Sequence, residues 1–68
     1  NPVEINLFIE YPWTKISLVE IVDMSGKTVY KETNFSANSI NVSELNAGFY
    51  LLKMVHNDQF VIRRFVKK

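Results

Sequence analysis

Apolar residues recur along this chain at intervals of two, in runs of four to eight residues separated by turn formers, and nowhere at the three-and-four spacing of a helix. That periodicity restricts the fold to sheets. INLFIEY (5–11) sets Ile5, Leu7 and Ile9 on one parity against Asn6, Phe8 and Glu10, and Pro12, which has no amide to donate, ends the ladder. ISLVEIVD (16–23) is apolar on both parities, the pattern of a central strand covered on both sides. KTVYKE (27–32) and SINV (39–42) are shorter and more polar, as edge strands are. FYLLKMVH (49–56) and QFVIRRFV (59–66) form a hairpin across Asn57-Asp58. Six or seven short strands at near-regular spacing predict an all-β fold, a small antiparallel β-sandwich.

The turns agree with that fold. In DMSGK, Asp23 can accept from backbone amides while Gly26 takes a positive φ, the chemistry of a type I turn with a following bulge. A calcium loop would need alternating oxygen ligands that this stretch lacks. In SELNAGFYLL, Ser43 or Glu44 is expected to satisfy free turn amides, Leu45 to drop into the core, and Gly48 to turn the backbone so that Tyr50, Leu52 and Met54 point inward. Tyr50 then offers its ring to the core and its hydroxyl to a nearby loop carbonyl, as a tyrosine corner does. The expected core is Ile9, Val19, Ile21, Val29, Ile40, Val42, Leu45, Tyr50 and Leu52. Parity in 59–66 stays open, since Phe60 and Ile62 compete with Val61 and Phe65 for the interior.

A chain of 68 residues is a single domain near the lower size limit, with a core that typically leaves about 3 to 5 kcal/mol of net stability. Hydrophobic residues make up 47% and the net charge is +1, which argues against disorder and against a nucleic-acid partner, whose phosphates need a concentrated positive face. The one basic cluster, Arg63, Arg64, Lys67 and Lys68, is expected to be a solvated chain end. There is no cysteine, hence no disulfide framework or thiolate metal site. No apolar run approaches the ~20 residues of a spanning helix. No signal pattern precedes the first strand, so for an exported protein the N-terminal signal is expected on a longer parent chain.

No reactive constellation stands out. His56 has no second histidine, cysteine or spaced carboxylate, and is expected to be a plain surface or turn residue. Glu4, Glu10, Glu20 and Glu32 fall on different strands. Trp13, beside Tyr11 and Pro12, is expected to cap the core, with a stacking platform for sugar rings as the alternative. Asn34-Phe35-Ser36 and Asn41-Val42-Ser43 fit the glycosylation sequon, a pattern short enough to arise by chance.

Four pieces nevertheless follow one another in order: Asn1-Pro2, IVDMSGKTV (21–29), INVSELNAGFYLLKM (40–54) and RRFVKK (63–68). Together they resemble the type A C-terminal sorting domain of the type IX secretion system of certain Gram-negative bacteria, over essentially the whole chain. Within that resemblance Gly48 and Tyr50 match the family's Gly-x-Tyr motif, Leu45 precedes it, Asp23, Gly26 and Lys27 form its turn motif, and Lys67 and Lys68 match its basic tail. Two departures stand out. The family usually opens Tyr-Pro-Asn-Pro and this chain shows only Asn1-Pro2, and Arg63-Arg64 stand where lysine is common, a change that keeps charge but alters donor geometry.

The resemblance implies an Ig-like sandwich at the C-terminus of a longer secreted parent. It also implies a delivery role: periplasmic folding, capture by an outer-membrane shuttle and translocon, cleavage by a sortase-like protease, and a cargo secreted or left on the cell surface. On this reading the domain is a substrate of that machinery, not an enzyme, with no cofactor, small-molecule substrate or nucleic-acid partner. A carbohydrate-binding or adhesive β-sandwich using Tyr11 and Trp13 is the alternative.

Overall fold

The structure, a computed structural model, describes residues 2–68; Asn1, the first residue of the opening motif, lies outside the described residues. Seven strands follow one another: β1 (Pro2–Val3), β2 (Asn6–Phe8), β3 (Ile16–Asp23), β4 (Thr28–Phe35), β5 (Ser39–Asn41), β6 (Gly48–His56) and β7 (Gln59–Lys67). They make a five-stranded sheet in the order β1-β7-β6-β3-β4 and a two-stranded sheet, β2-β5. All pairings are antiparallel except that of β1 with β7, where Pro2 lies opposite Val66 and Val3 opposite Lys67. This is the expected Ig-like β-sandwich, built from unequal layers.

The core sits where the small sheet covers the large one. On the two central strands Val19 lies opposite Met54 and Ile21 opposite Leu52, all four turned inward and buried. Leu7, Ile9, Ile40 and Val42, from β2, β5 and the residues that follow each, pack into the same cluster. One end of the core is closed by Ile16 opposite Phe35. The other is closed by Tyr50 opposite Phe65, whose rings stack with centroids 5.5 Å apart. Truncating one such residue, Ile21→Ala for example, costs about 2 to 5 kcal/mol, comparable to everything a core of this size leaves over.

Several expectations change. Only Asn6–Phe8 of the segment 5–11 pairs as a strand, and Ile5, on the same parity as the buried Leu7 and Ile9, is exposed. The ladder continues only as single backbone bonds, from Val42 N–H to the Ile5 carbonyl and from Ile9 N–H to the Asn38 carbonyl. β3 is central as expected, yet only one of its faces is covered, because the second sheet lies on one side alone. β4 runs on to Phe35, three residues beyond the expected end, and is the edge of the large sheet.

Val29 and Leu45 are half-buried against the core, not within it, and Ile16, Phe35, Met54 and Phe65 take fully interior places. In β7 the inward parity is that of Val61 and Phe65, which leaves Phe60 and Ile62 exposed. The hairpin closes with His56 opposite Gln59, and Asn57 supplies a positive φ of 54° in its two-residue turn, a conformation asparagine tolerates better than most residues.

Candidate functional site

Turn, corner and tail, far apart in sequence, meet at one end of the large sheet. β3 ends at Asp23 and β4 begins at Thr28; β6 begins at Gly48 and β7 ends at Lys67. Across the ladders Asp23 lies opposite Tyr50, Tyr50 opposite Phe65, and Gly48 opposite Lys67. Pro2, through its pairing with Val66, belongs to the same end.

The Asp23 turn is organised by one carboxylate oxygen. Asp23 Oδ1 accepts from the Ser25 amide (2.9 Å), the Ser25 hydroxyl (2.6 Å) and the Lys27 amide (3.0 Å). Gly26 takes φ of 90° and donates its N–H to the Asp23 carbonyl. The β3–β4 register shifts just beyond, between Ile21 and Val22, the expected turn plus bulge. The Ser25 hydroxyl first, and then the Lys27 amide, hold the Asp23 carboxyl below its usual value of 3.8. Lys27 is exposed.

The corner is built from residues 41 to 50. Asn41 Oδ1 accepts from the Ser43 amide (2.9 Å) and hydroxyl (2.7 Å), and the Leu45 N–H reaches the Val42 carbonyl. The turn acceptor is thus Asn41, not Ser43 or Glu44 as the sequence pattern suggested, since Asn41 ends β5 with its amide side chain poised over the next two residues. Gly48 enters β6 at φ 150°, and a Cβ placed there would meet nothing within 4 Å, so backbone conformation, not space, is what calls for glycine. The Tyr50 hydroxyl donates to the Asn46 carbonyl, completing the tyrosine corner.

The basic tail is not one feature. Lys67 is the last residue of β7 and is buried, only 7% exposed, with its Nζ donating to the Lys68 carbonyl. Lys68 is exposed and lies 3.6 Å from the Glu4 carboxylate, an open ion pair of small energetic weight. Arg63 and Arg64 are exposed residues of β7. The expected solvated chain end is therefore mostly strand. Composition could not show this, because Lys67 is drawn in by its register opposite Gly48, which has no side chain to occupy that place.

The opposite end of the sandwich carries the aromatic pair. Tyr11 donates its hydroxyl to the Ala37 carbonyl and Trp13 its indole N–H to Gln59 Oε1. Both rings are half-buried against the core, with centroids 6.5 Å apart and planes inclined by 37°, so they cap the interior and do not share a flat stacking surface. His56, expected as a surface or turn residue, does flank the β6–β7 turn, but it packs under Trp13 at 5.3 Å and is half-buried, with its Nδ1 buried and without a hydrogen-bond partner. Among the described residues no group of three or more His, Cys, Asp or Glu could hold a metal ion.

The family model described as secretion system C-terminal sorting domain matches residues 1–68 of the chain. No curated protein matches it.

Proposed function

We propose, because the chain belongs to the family of secretion system C-terminal sorting domains, that it is the C-terminal domain of a longer secreted parent and carries that cargo across the outer membrane by the type IX route. Family membership makes the protein a sorting signal that engages secretion machinery and ends as part of a secreted or cell-surface product. The finer steps are the proposal: the domain folds in the periplasm, is captured by the outer-membrane shuttle and passed to the translocon, and is cut from its cargo by a sortase-like protease before surface attachment. It acts as a folded handle and contributes no chemistry of its own.

One observation carries the assignment of residues. Asp23, Gly26, Lys27, Gly48, Tyr50 and Lys67, scattered over two-thirds of the sequence, converge on one end of the sandwich. Several of them already have folding work there: Asp23, Gly26, Gly48 and Tyr50 shape turns, and Lys67 is buried. Of the motif residues, the exposed cations at this end are Lys27 and Lys68, the latter in its open pair with Glu4. Recognition by the shuttle is assigned to those two cations, with the other residues holding the backbone that presents them; Leu45 packs beneath the corner.

A fusion of residues 1–68 to a reporter with an ordinary export signal, followed by fractionation of a type IX host, tests this. Reporter in the medium or on the cell surface is the expected result. Reporter retained in the periplasm, with the domain folded, would overturn the reading.

A further inference from the structure

β7 has the sequence of an interior strand, yet one of its two sides is almost bare. On one side β6 pairs with it along its whole length, from Gln59 to Lys67; on the other, among the described residues, only Pro2 and Val3 of β1 pair with it, opposite Val66 and Lys67. No described residue pairs from that side with Phe60, Ile62 or Arg64. The far edge of the same sheet, β4, is dressed differently: Lys31, Glu32, Thr33 and Asn34 follow one another there and all are exposed. Charged and polar residues of that kind keep an edge from recruiting another strand. β7 instead carries Phe60, Val61 and Ile62 in succession, with Phe60 63% and Ile62 47% exposed.

The bare side also offers backbone groups. His56 and Gln59 close a two-residue hairpin turn and exchange their backbone bonds, and the alternation that follows turns the N–H and C=O groups of Val61, Arg63 and Phe65 toward β6 and those of Phe60, Ile62 and Arg64 away from it. On the inner face this stretch of β7 borders a groove of about 660 Å³ whose lining includes Leu7, Ile9, Leu52, Met54, Arg63 and Phe65. A strand laid along Phe60–Arg64 finds backbone partners at its edge and apolar neighbours on both faces.

The direction of β1 identifies that strand. β1 runs parallel to β7 with Pro2 opposite Val66, so the chain that leads into Pro2 approaches along β7 from the Phe60 end, each residue further back standing one residue further back on β7. We infer that the segment immediately preceding Pro2 in the longer parent lies on β7 as the N-terminal part of β1, continuing the parallel ladder over Phe60–Phe65, about six residues at the shared rise of about 3.3 Å per residue. Its backbone bonds run to the outward groups of Phe60, Ile62 and Arg64. Every second residue counted back from Pro2 shares the outer face with Arg64, Ile62 and Phe60 in turn, which calls for apolar side chains beside Ile62 and Phe60. The inference rests on the reading that this domain closes a longer parent, and it deepens that reading. The junction with the cargo is held in the sheet, and because paired backbone resists proteolysis, the cut that frees the cargo falls on the N-terminal side of this strand.

The test compares the natural parent with a variant in which the same segment is replaced by a Gly-Pro repeat, which lacks alternate donors and the side chains that cover Phe60 and Ile62. Hydrogen exchange is followed amide by amide. In the natural parent Phe60, Ile62 and Arg64 are expected to be protected as Val61 and Arg63 are; in the variant they exchange roughly tenfold faster or more, while Val61 and Arg63, held by β6, are unchanged. Rapid exchange at Phe60, Ile62 and Arg64 in the natural parent overturns the inference, and so does protection that survives the replacement. Limited proteolysis of the natural parent needs no variant: the smallest resistant fragment is expected to begin about six residues before Pro2, and one that begins at Pro2 or beyond overturns the inference. Protection lost on dilution overturns it in favour of pairing between copies of the chain. None of these measurements involves secretion, so a reporter retained in the periplasm overturns the sorting reading alone, whereas a natural protein with the mass of residues 1–68 removes the longer parent and this inference with it.

Discussion

The Tyr50 hydroxyl donates to the carbonyl of Asn46, 2.6 Å away and four residues earlier in the chain. That bond ties the β5–β6 loop to the strand it leads into, while the stack of Tyr50 on Phe65 ties the strand to β7. Tyr50→Phe keeps the ring and removes the donor. The expected loss is about 0.5 to 1.5 kcal/mol, read as a fall of several degrees in Tm for a domain of this size. An unchanged Tm would show that the corner hydroxyl adds nothing to stability.

At Gly48 the cause is backbone conformation. Because a Cβ there meets open space at φ 150°, Gly48→Ala and Gly48→Val should both destabilise, by on the order of 1 to 3 kcal/mol, with valine the worse. Denaturant midpoints of the two variants check this. A large penalty for valine beside none for alanine would point to crowding instead of strain.

The two terminal lysines should separate in experiment. Lys68→Glu removes an exposed pair with Glu4 and is expected to change stability by no more than about 0.5 kcal/mol, while export of a reporter fusion falls because an exposed cation at the motif end is lost. Lys67→Glu places a carboxylate in a buried strand position opposite Gly48 and should cost about 1 to 3 kcal/mol, lowering stability and export together. Melting and fractionation on the same variants decide. A stable Lys68→Glu protein that is exported normally removes the tail from recognition.

Stability should decline in acid partly through Asp23. Its carboxyl is held below 3.8 in the folded chain by the Ser25 hydroxyl and the Lys27 amide, so its contribution is fully present above 3.8 and is lost as pH falls through the lower folded value. Urea midpoints measured from about pH 6 down to about pH 2 are expected to drop less steeply for Asp23→Asn than for the natural chain. Parallel curves would place the acid dependence elsewhere.

Much of the candidate site was legible because it is local. Asp23 and Gly26 announce a turn through side-chain acceptors and a positive φ, which depend on residues two to four positions apart. The Gly48–Tyr50 corner is legible for the same reason, with Asn46 only four residues from its donor. Lys67 was not: paired with Gly48 across β6–β7, it is buried by a contact nineteen positions away in sequence, and a charged residue near a run of charges carries no mark of that. The cover over His56 was hidden in the same way, since Trp13, which packs on it, comes from far upstream.

By itself the sequence determined an all-β chain, the closing hairpin and the inward parity of β6, because a period of two and the turn residues between runs act within each segment. Tertiary structure alone decided that five strands share one sheet and two the other, that Ile5 lies outside the covered area, and that Val61 and Phe65 face inward while Phe60 and Ile62 do not. In each case a strand carries apolar residues on both faces or at its margin, and the hydrophobic effect has no preferred direction. Which face is buried follows from where the other sheet lies, and that position is set by contacts between segments.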